Sequence, residues 1–340
     1  MDKKKIAFVG SIIVDLVKMV DVWPDKGMLV TISGMERSVG GLVCNTAVDI
    51  KVMDESLDVF AYGLVGDDGH GEWALNFMRS KGIDVSNVKI KSGKETSYTD
   101  VMTLEDSGER TFFHYRGANT EFSIDDVDIN NLDCDLLHLG YLLALNGFDE
   151  KDNEFGTKSA RFLHSVQQKG IKTCIDVVSD QNGNFEEKIA PVLKYCNYIV
   201  INELEGGMLC DIPPRDEKGK LLVDNLKAIC EKLKYLGVQD TVVLHCPELS
   251  CAIDDSGKFY VVNSFDLPKG YIKGSVGAGD AFCAGMLYTF LKGINVEKGM
   301  EIASCSAVCN LSSKNSVGGA KSLDEILKIK EKFSRRKNGN

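Results

Sequence analysis

The 340-residue chain has no uncharged apolar stretch of about 18 residues, so no segment reads as a membrane-spanning helix. It also has no basic surplus: 40 basic against 50 acidic side chains leave a formal charge of −10. Lysine and arginine on phosphate dominate nucleic-acid affinity, so this balance tells against a nucleic-acid or membrane-surface partner. A local positive pocket stays open. The basic clusters Lys3–Lys5 and Arg335–Lys337 read as solvated termini. There is no Cys-x-x-Cys and no Cys/His set with zinc spacing, although the chain holds 11 cysteines. The pairs Cys246/Cys251 and Cys305/Cys309 stand in apolar segments and read as buried thiols. With no signal-peptide apolar segment after the lysines, the expectation is a reduced, cytoplasmic protein. Internal repeats and low-complexity linkers are missing too.

What is present is a βα alternation. Ile6–Val9, Val59–Tyr62, Leu136–Leu139, Thr173–Val177, Tyr198–Ile201 and Thr241–Leu244 are short apolar runs of buried-strand length. Between them lie helical stripes. Leu222, Leu226, Ile229, Leu233 and Leu236 are closed by Gly237; Cys283, Met286, Leu287, Phe290 and Leu291 are closed by Gly293. The pattern predicts an α/β protein whose mostly parallel central sheet is covered by helices on both faces. Two β-rich stretches break the rhythm. Leu29–Ser33 precedes a glycine pair, and Thr96–Leu104 with Arg110–Arg116 form a hairpin about Glu105-Asp106-Ser107-Gly108. These predict a small separate sheet, inserted as a lid.

The strongest chemical signal is Gly274-Ser275-Val276-Gly277-Ala278-Gly279-Asp280-Ala281-Phe282-Cys283-Ala284-Gly285. Gly277 and Gly279 allow a tight backbone that aims successive N–H groups at one point, at the positive end of the helix that follows. Such a nest binds an anion, most simply a phosphoryl group. A glycine turn capped by Asp280 is the competing reading, and local chemistry leaves both open. The familiar nucleotide loops are missing: there is no Gly-x-x-x-x-Gly-Lys-Ser/Thr, no Gly-x-Gly-x-x-Gly after the first strand, and no Gly-x-Ser-x-Gly. A phosphate loop in the last third of the chain thus points away from P-loop enzymes and dehydrogenases.

Taken in order, the motifs resemble the ribokinase-like (PfkB-type) carbohydrate kinases. Gly277-Ala278-Gly279-Asp280, Phe282 and Gly285 match the family's C-terminal signature, and Gly40-Gly41-Leu42-Val43-Cys44-Asn45-Thr46-Ala47 its N-terminal one. Asn202-Glu203-Leu204-Glu205 matches its Asn-x-x-Glu. Val65-Gly66-Asp67-Asp68-Gly69 through Lys81-Gly82-Ile83-Asp84 and Gly318-Gly319-Ala320 resemble further stretches. The resemblance spans nearly the whole chain and implies a ribokinase-like three-layer α/β/α kinase domain over 1–340. Its β-sheet lid would come from about 12–36 and 95–118.

The same resemblance implies an ATP- and Mg²⁺-dependent phosphotransferase acting on an alcohol of a small sugar or sugar acid. Asp280 would be the general base, and the backbone of Gly277, Ala278 and Gly279 the anion hole. Asp15, Gly40, Gly41 and Asn45 would hold the sugar; turn and cap chemistry is the alternative for Asp15 and Asn45. Asn202 and Glu205 would organise Mg²⁺ through water, with a plain surface helix residue as the alternative for Glu205. Arg116, after the lid hairpin, would reach the substrate and favour a carboxylate or several hydroxyls, or else form a lid salt bridge. His114 reads as a hairpin residue. His245 would lie at the nucleotide.

Three departures qualify this. Gly274, Ser275 and Val276 stand where the family places Asp and Thr, which tells against a monovalent cation. His245-Cys246-Pro247-Glu248-Leu249-Ser250 has lost both glycines of the family's nucleotide strand, so contacts with the donor there must differ. Leu42 replaces a Lys of some ribokinases, against ribose in particular. A nucleoside kinase of the same fold is the alternative reading, and a non-catalytic sugar-binding regulator a further one. The exposed edges of a lid sheet suggest a homodimer through the lids.

Overall fold

The computed structural model describes residues 3–180 and 183–337. Its centre is an eight-stranded sheet. Six strands are parallel: β1 (Lys5–Gly10), β4 (Asp58–Tyr62), β7 (Leu136–Leu142), β8 (Lys172–Val177), β9 (Tyr198–Asn202) and β10 (Thr241–His245); β2 (Ile13–Val20), β3 (Ile32–Gly40), β5 (Tyr98–Leu104) and β6 (Arg110–Tyr115) belong to a separate sheet. Spatially they run 4-1-7-8-9-10, and all six contain the apolar runs read from sequence. Two further strands, β11 (Leu249–Ile253) and β12 (Phe259–Asn263), extend the sheet antiparallel beyond β10. The βα alternation did not forecast these two, because each follows a short turn rather than a helix.

Alternate side chains of each strand enter two different cores. Ile6 and Phe8 pack with α1 (Leu42–Met53), α6 (Ala278–Lys292) and α7 (Val296–Leu311) on one face. Ala7 and Val9 pack on the other with α3 (Lys158–Gln168) and α5 (Val223–Leu236). Two further helices are α2 (Gly69–Ser80) and α4 (Glu203–Cys210). The three-layer architecture is therefore the one the sequence pattern implied. Gly237 and Gly293 do close α5 and α6 with positive φ, 126° and 64°.

The lid is a separate four-stranded sheet of β2 (Ile13–Val20), β3 (Ile32–Gly40), β5 (Tyr98–Leu104) and β6 (Arg110–Tyr115), in the order 3-2-5-6. It is mixed: β2 runs parallel to β5, while the outer pairs are antiparallel. All 11 cysteines are free; nine are buried, and Cys134 and Cys246 are half-buried. Burial pushes the Cys246 and Cys305 thiols up to about 12 and Cys309 to about 11, so these are inert packing groups. No helix among the described residues is long and apolar enough to cross a membrane.

Candidate active site

The loop before α6 turns through Gly277, whose φ of 81° is left-handed; a side chain there would also run into the Ser316 carbonyl. Helix α6 starts at once, which brings Asp280 into its first turn. Asp280 does not cap the helix. Its carboxylate instead accepts Tyr141 Oη at 2.5 Å and Thr46 Oγ1 at 3.4 Å on Oδ1, and Asn45 Nδ2 at 2.9 Å on Oδ2. Burial raises the Asp280 pKa, and these three donors oppose the rise. Of the loop amides, the Ala278 N–H turns back to the Ser275 carbonyl at 3.2 Å. The first-turn N–H groups beyond it have no intrahelical acceptor available, as at any helix start.

Around Asp280 lie further carboxylates, Glu205 buried and Asp176 half-buried. Asp176, at the end of β8, is pushed well above the usual carboxylate range by burial and by the charges of Glu205 and Asp280. Glu205 and Asn202 form a capping box at the start of α4: the Glu205 amide donates to Asn202 Oδ1 at 2.8 Å, and the Asn202 amide to Glu205 Oε2 at 2.9 Å. Glu205 Oε1 also accepts Ser179 Oγ at 2.6 Å. Glu205 is therefore a buried residue rather than a surface one. Both its oxygens are engaged, so a hard divalent cation here would be reached through water, while the clustered carboxylates give it the oxygen donors it prefers. The residues present fit Mg²⁺ on those terms.

Three cavities adjoin in sequence along this line. The largest, about 550 Å³, is walled by apolar groups including Phe265, Leu267, Ile272, Phe282 and Val308, and touches Gly279. A second, about 240 Å³, is lined by Tyr141, Asp176, Ser179, Asn202, Glu205, Gly279 and Asp280. It shares His245, Asn202 and Gly279 with the first. A third, also about 240 Å³, shares Tyr141 and Val178 with the second and runs under the lid past Ser11, Arg116, Asn119 and Asn146.

The residues singled out from sequence fall into groups. Asp280, Gly279, Asn202, Glu205 and His245 converge on the middle cavity. His245 packs on Phe282, with ring centroids 5.0 Å apart, and burial lowers its pKa to about 4. Asn45 reaches Asp280 with its amide nitrogen, which leaves its buried Oδ1 without a partner. Asp15 lies in β2 with its pKa raised by burial to about 6; a Cβ on Gly40 would stand 2.5 Å from its carboxylate. Gly41 precedes α1 at φ 81°, and neither it nor Gly40 nor Asp15 lines the third cavity. Arg116 forms no lid salt bridge among the described residues; it donates to Asn146 Oδ1 at 2.9 Å. His114, in β6, meets Thr99 Oγ1 through Nδ1 at 3.0 Å. Pro247 sits in a tight β10–β11 turn, braced where Arg215 bridges Glu248 and Glu203 at 2.8 and 2.7 Å. Sequence reasoning missed Tyr141, Asp176 and Ser179. Their signal was position: Tyr141 and Asp176 stand at the C-terminal ends of buried parallel strands and Ser179 just beyond one, where open α/β sheets place ligands.

Fold and site together define an α/β phosphotransferase. The sequence pattern of the pfkB family carbohydrate kinases matches residues 3–322. The chain belongs to that family, and it is a kinase that takes an alcohol group as acceptor. It is 22% identical to a ribokinase of Schizosaccharomyces pombe, covering 98% of this chain and 99% of the relative. It is 24% identical to a 5-dehydro-2-deoxygluconokinase of Clostridium perfringens over 87% and 85%, and 21% identical to a nucleoside kinase of Methanocaldococcus jannaschii over 97% of each. Arabidopsis thaliana ribokinase, solved with ribose and ATP, superposes with a TM-score of 0.76 at 18% identity, covering 96% of this chain and 99% of that one. At that identity the likeness concerns the fold.

Proposed function

We propose that the chain transfers the γ-phosphoryl group of ATP to an alcohol of a small sugar or sugar acid. The observation that carries this reading is the continuity of the three cavities, which meet about Gly279, Asp280 and Tyr141. An apolar cavity suits the base of the donor, the middle one its phosphoryl end, and the third an acceptor under the lid. Asp280, ionised, takes the proton of the acceptor hydroxyl as the oxygen attacks phosphorus. Backbone N–H groups of Gly277 and Gly279, at the N-terminus of α6, oppose the charge that develops on the transferring group, while the Ala278 N–H stays on the Ser275 carbonyl. Asn202 and Glu205, with Asp176, would hold Mg²⁺ through water, and when bound it supplies neutralisation of phosphate charge.

Lid closure keeps water from competing with the acceptor. Arg110, at the start of β6, donates to the Lys314 carbonyl and so already ties lid to body. A monovalent cation is not part of the proposal, since Gly274 brings no carboxylate and the Arg110 guanidinium lies beside it. The partner of the lid is a second copy. What supports this is a lid face carrying Met35, Phe113 and Tyr115, all exposed, with the exposed Trp23 stacked on Phe113 at 6.3 Å.

The test is ATP-to-ADP turnover with Mg²⁺ over ketoses, aldoses, sugar acids and nucleosides, beside Asp280→Asn. Turnover with a sugar or sugar acid that drops by roughly 10²–10⁴ in the variant is expected. Unchanged turnover in Asp280→Asn would remove Asp280 as the base, and turnover with nucleosides alone would favour the nucleoside reading.

A further inference from the structure

The third cavity holds polar groups that no neighbour in the chain satisfies. Two of its side chains are more than nine-tenths buried yet have unpartnered oxygens: Ser11 Oγ and Asn119 Oδ1. The Asn119 amide is fixed, because its Nδ2 donates to the Ile12 carbonyl at 3.1 Å, so its Oδ1 is left as an acceptor. A buried acceptor without a donor costs free energy unless a ligand supplies one, and a substrate hydroxyl is the simplest source.

Arg116 lines the same cavity. One guanidinium nitrogen donates to Asn146 Oδ1, which orients the plane, and no carboxylate of the described residues is ion-paired with it. A guanidinium held at one corner by a neutral amide keeps its remaining N–H fork for a planar anion. The cavity has no lysine and no second arginine. One positive group suits the single charge of a carboxylate better than the two charges of a phosphate monoester. The rest of the wall is Ile13, Ala144 and Val178 with Tyr141, Thr120 and His114; burial and the neighbouring Arg116 lower the His114 pKa, so the imidazole favours its neutral form and Arg116 stays the fixed charge.

We infer that the acceptor is a polyhydroxy carboxylate, bound with its carboxylate on Arg116 and a hydroxyl donating to Asn119, and that Arg116 sets this specificity. This rests on the kinase reading above and names the substrate class of its acceptor site.

The experiment pairs acids with neutral partners of the same skeleton: D-gluconate with D-glucitol, and 2-keto-D-gluconate with D-fructose. D-fructose 1-phosphate serves as a phosphate probe. Binding is measured by calorimetry without nucleotide, and kcat/KM with ATP, for the intact chain, Arg116→Gln and Arg116→Lys. Arg116 is exposed, and unchanged melting temperatures show that the variants fold. At least one acid is expected to exceed its neutral partner in both binding and kcat/KM. Arg116→Gln should lose roughly 100-fold for that acid through KM, with little change for the neutral partner. Arg116→Lys should recover part of the loss.

Acids no better than their neutral partners, or a preference that survives Arg116→Gln, would overturn the inference. So would tighter binding of the phosphate probe. Arg116-dependent acid binding without phosphoryl transfer from ATP would sink the kinase reading and leave the acid subsite standing.

Discussion

Asp280 combines two opposing pressures. Burial favours its neutral form, while donors from Tyr141, Asn45 and Thr46 favour the anion that a general base must be. Tyr141 is the shortest of these contacts, and its phenol lies between the middle and third cavities. It is a positioning residue in this arrangement. Removing its hydroxyl takes a donor from the carboxylate, so the Asp280 pKa rises and less base exists at low pH. A hydrogen bond to a charged group contributes about 1.5 kcal/mol or more, and 1.36 kcal/mol is one pH unit. In Tyr141→Phe the acid limb of the kcat/KM profile should therefore move upward by about one unit, with the high-pH plateau kept within tenfold. A limb that stays in place, whatever the plateau does, would mean that Tyr141 only fills space.

At the scale of elements, the site depends on how closely α6 meets α7. Gly285, one turn and a half beyond Asp280, lies against Ala303: a Cβ there would stand 2.5 Å from the Ala303 Cα and 2.9 Å from its nitrogen. These are backbone atoms, which cannot rotate away. Gly285→Ala must push the two helices apart and is expected to cost about 1–3 kcal/mol in denaturant unfolding. Because α6 carries Asp280 and the glycine loop, turnover should fall as well. A variant as stable as the parent would show that the helix pair has slack. In the sequence this glycine stands out only as a motif match; its packing role needs α7 in place.

For the whole molecule, the lid presents a row of large apolar side chains to solvent, and its outer strands leave unpaired edges. Light scattering at micromolar concentration should report twice the chain mass, and Phe113→Lys, on the exposed face of β6, should return a monomer. A monomeric parent chain would count against the lid as an interface. The Arg110 link to Lys314 joins the lid to the loop beside α6, so the lid is tied to the body near the catalytic loop as well as through its strand connections.

Sequence alone determined the βα order, the breaks that became the lid, and the glycine loop with its aspartate. These are legible because they are local: a buried strand is a short apolar run, a helix face a stripe, and a tight turn needs glycine wherever it occurs. It also marked Asp280, Asn202 and Glu205 as candidates, at the ends of their elements. Tertiary structure decided the partners. That Asn45 spends its amide on Asp280, that Tyr141 covers the same carboxylate, and that Glu205 is buried all depend on residues far away in sequence, with Asn45 and Asp280 separated by 235 positions. The same holds for Ser11, Asn119 and Arg116, which share one cavity although no motif links them. Hydrogen bonding and desolvation act over a few ångströms of space, and only the folded chain sets which groups come that close.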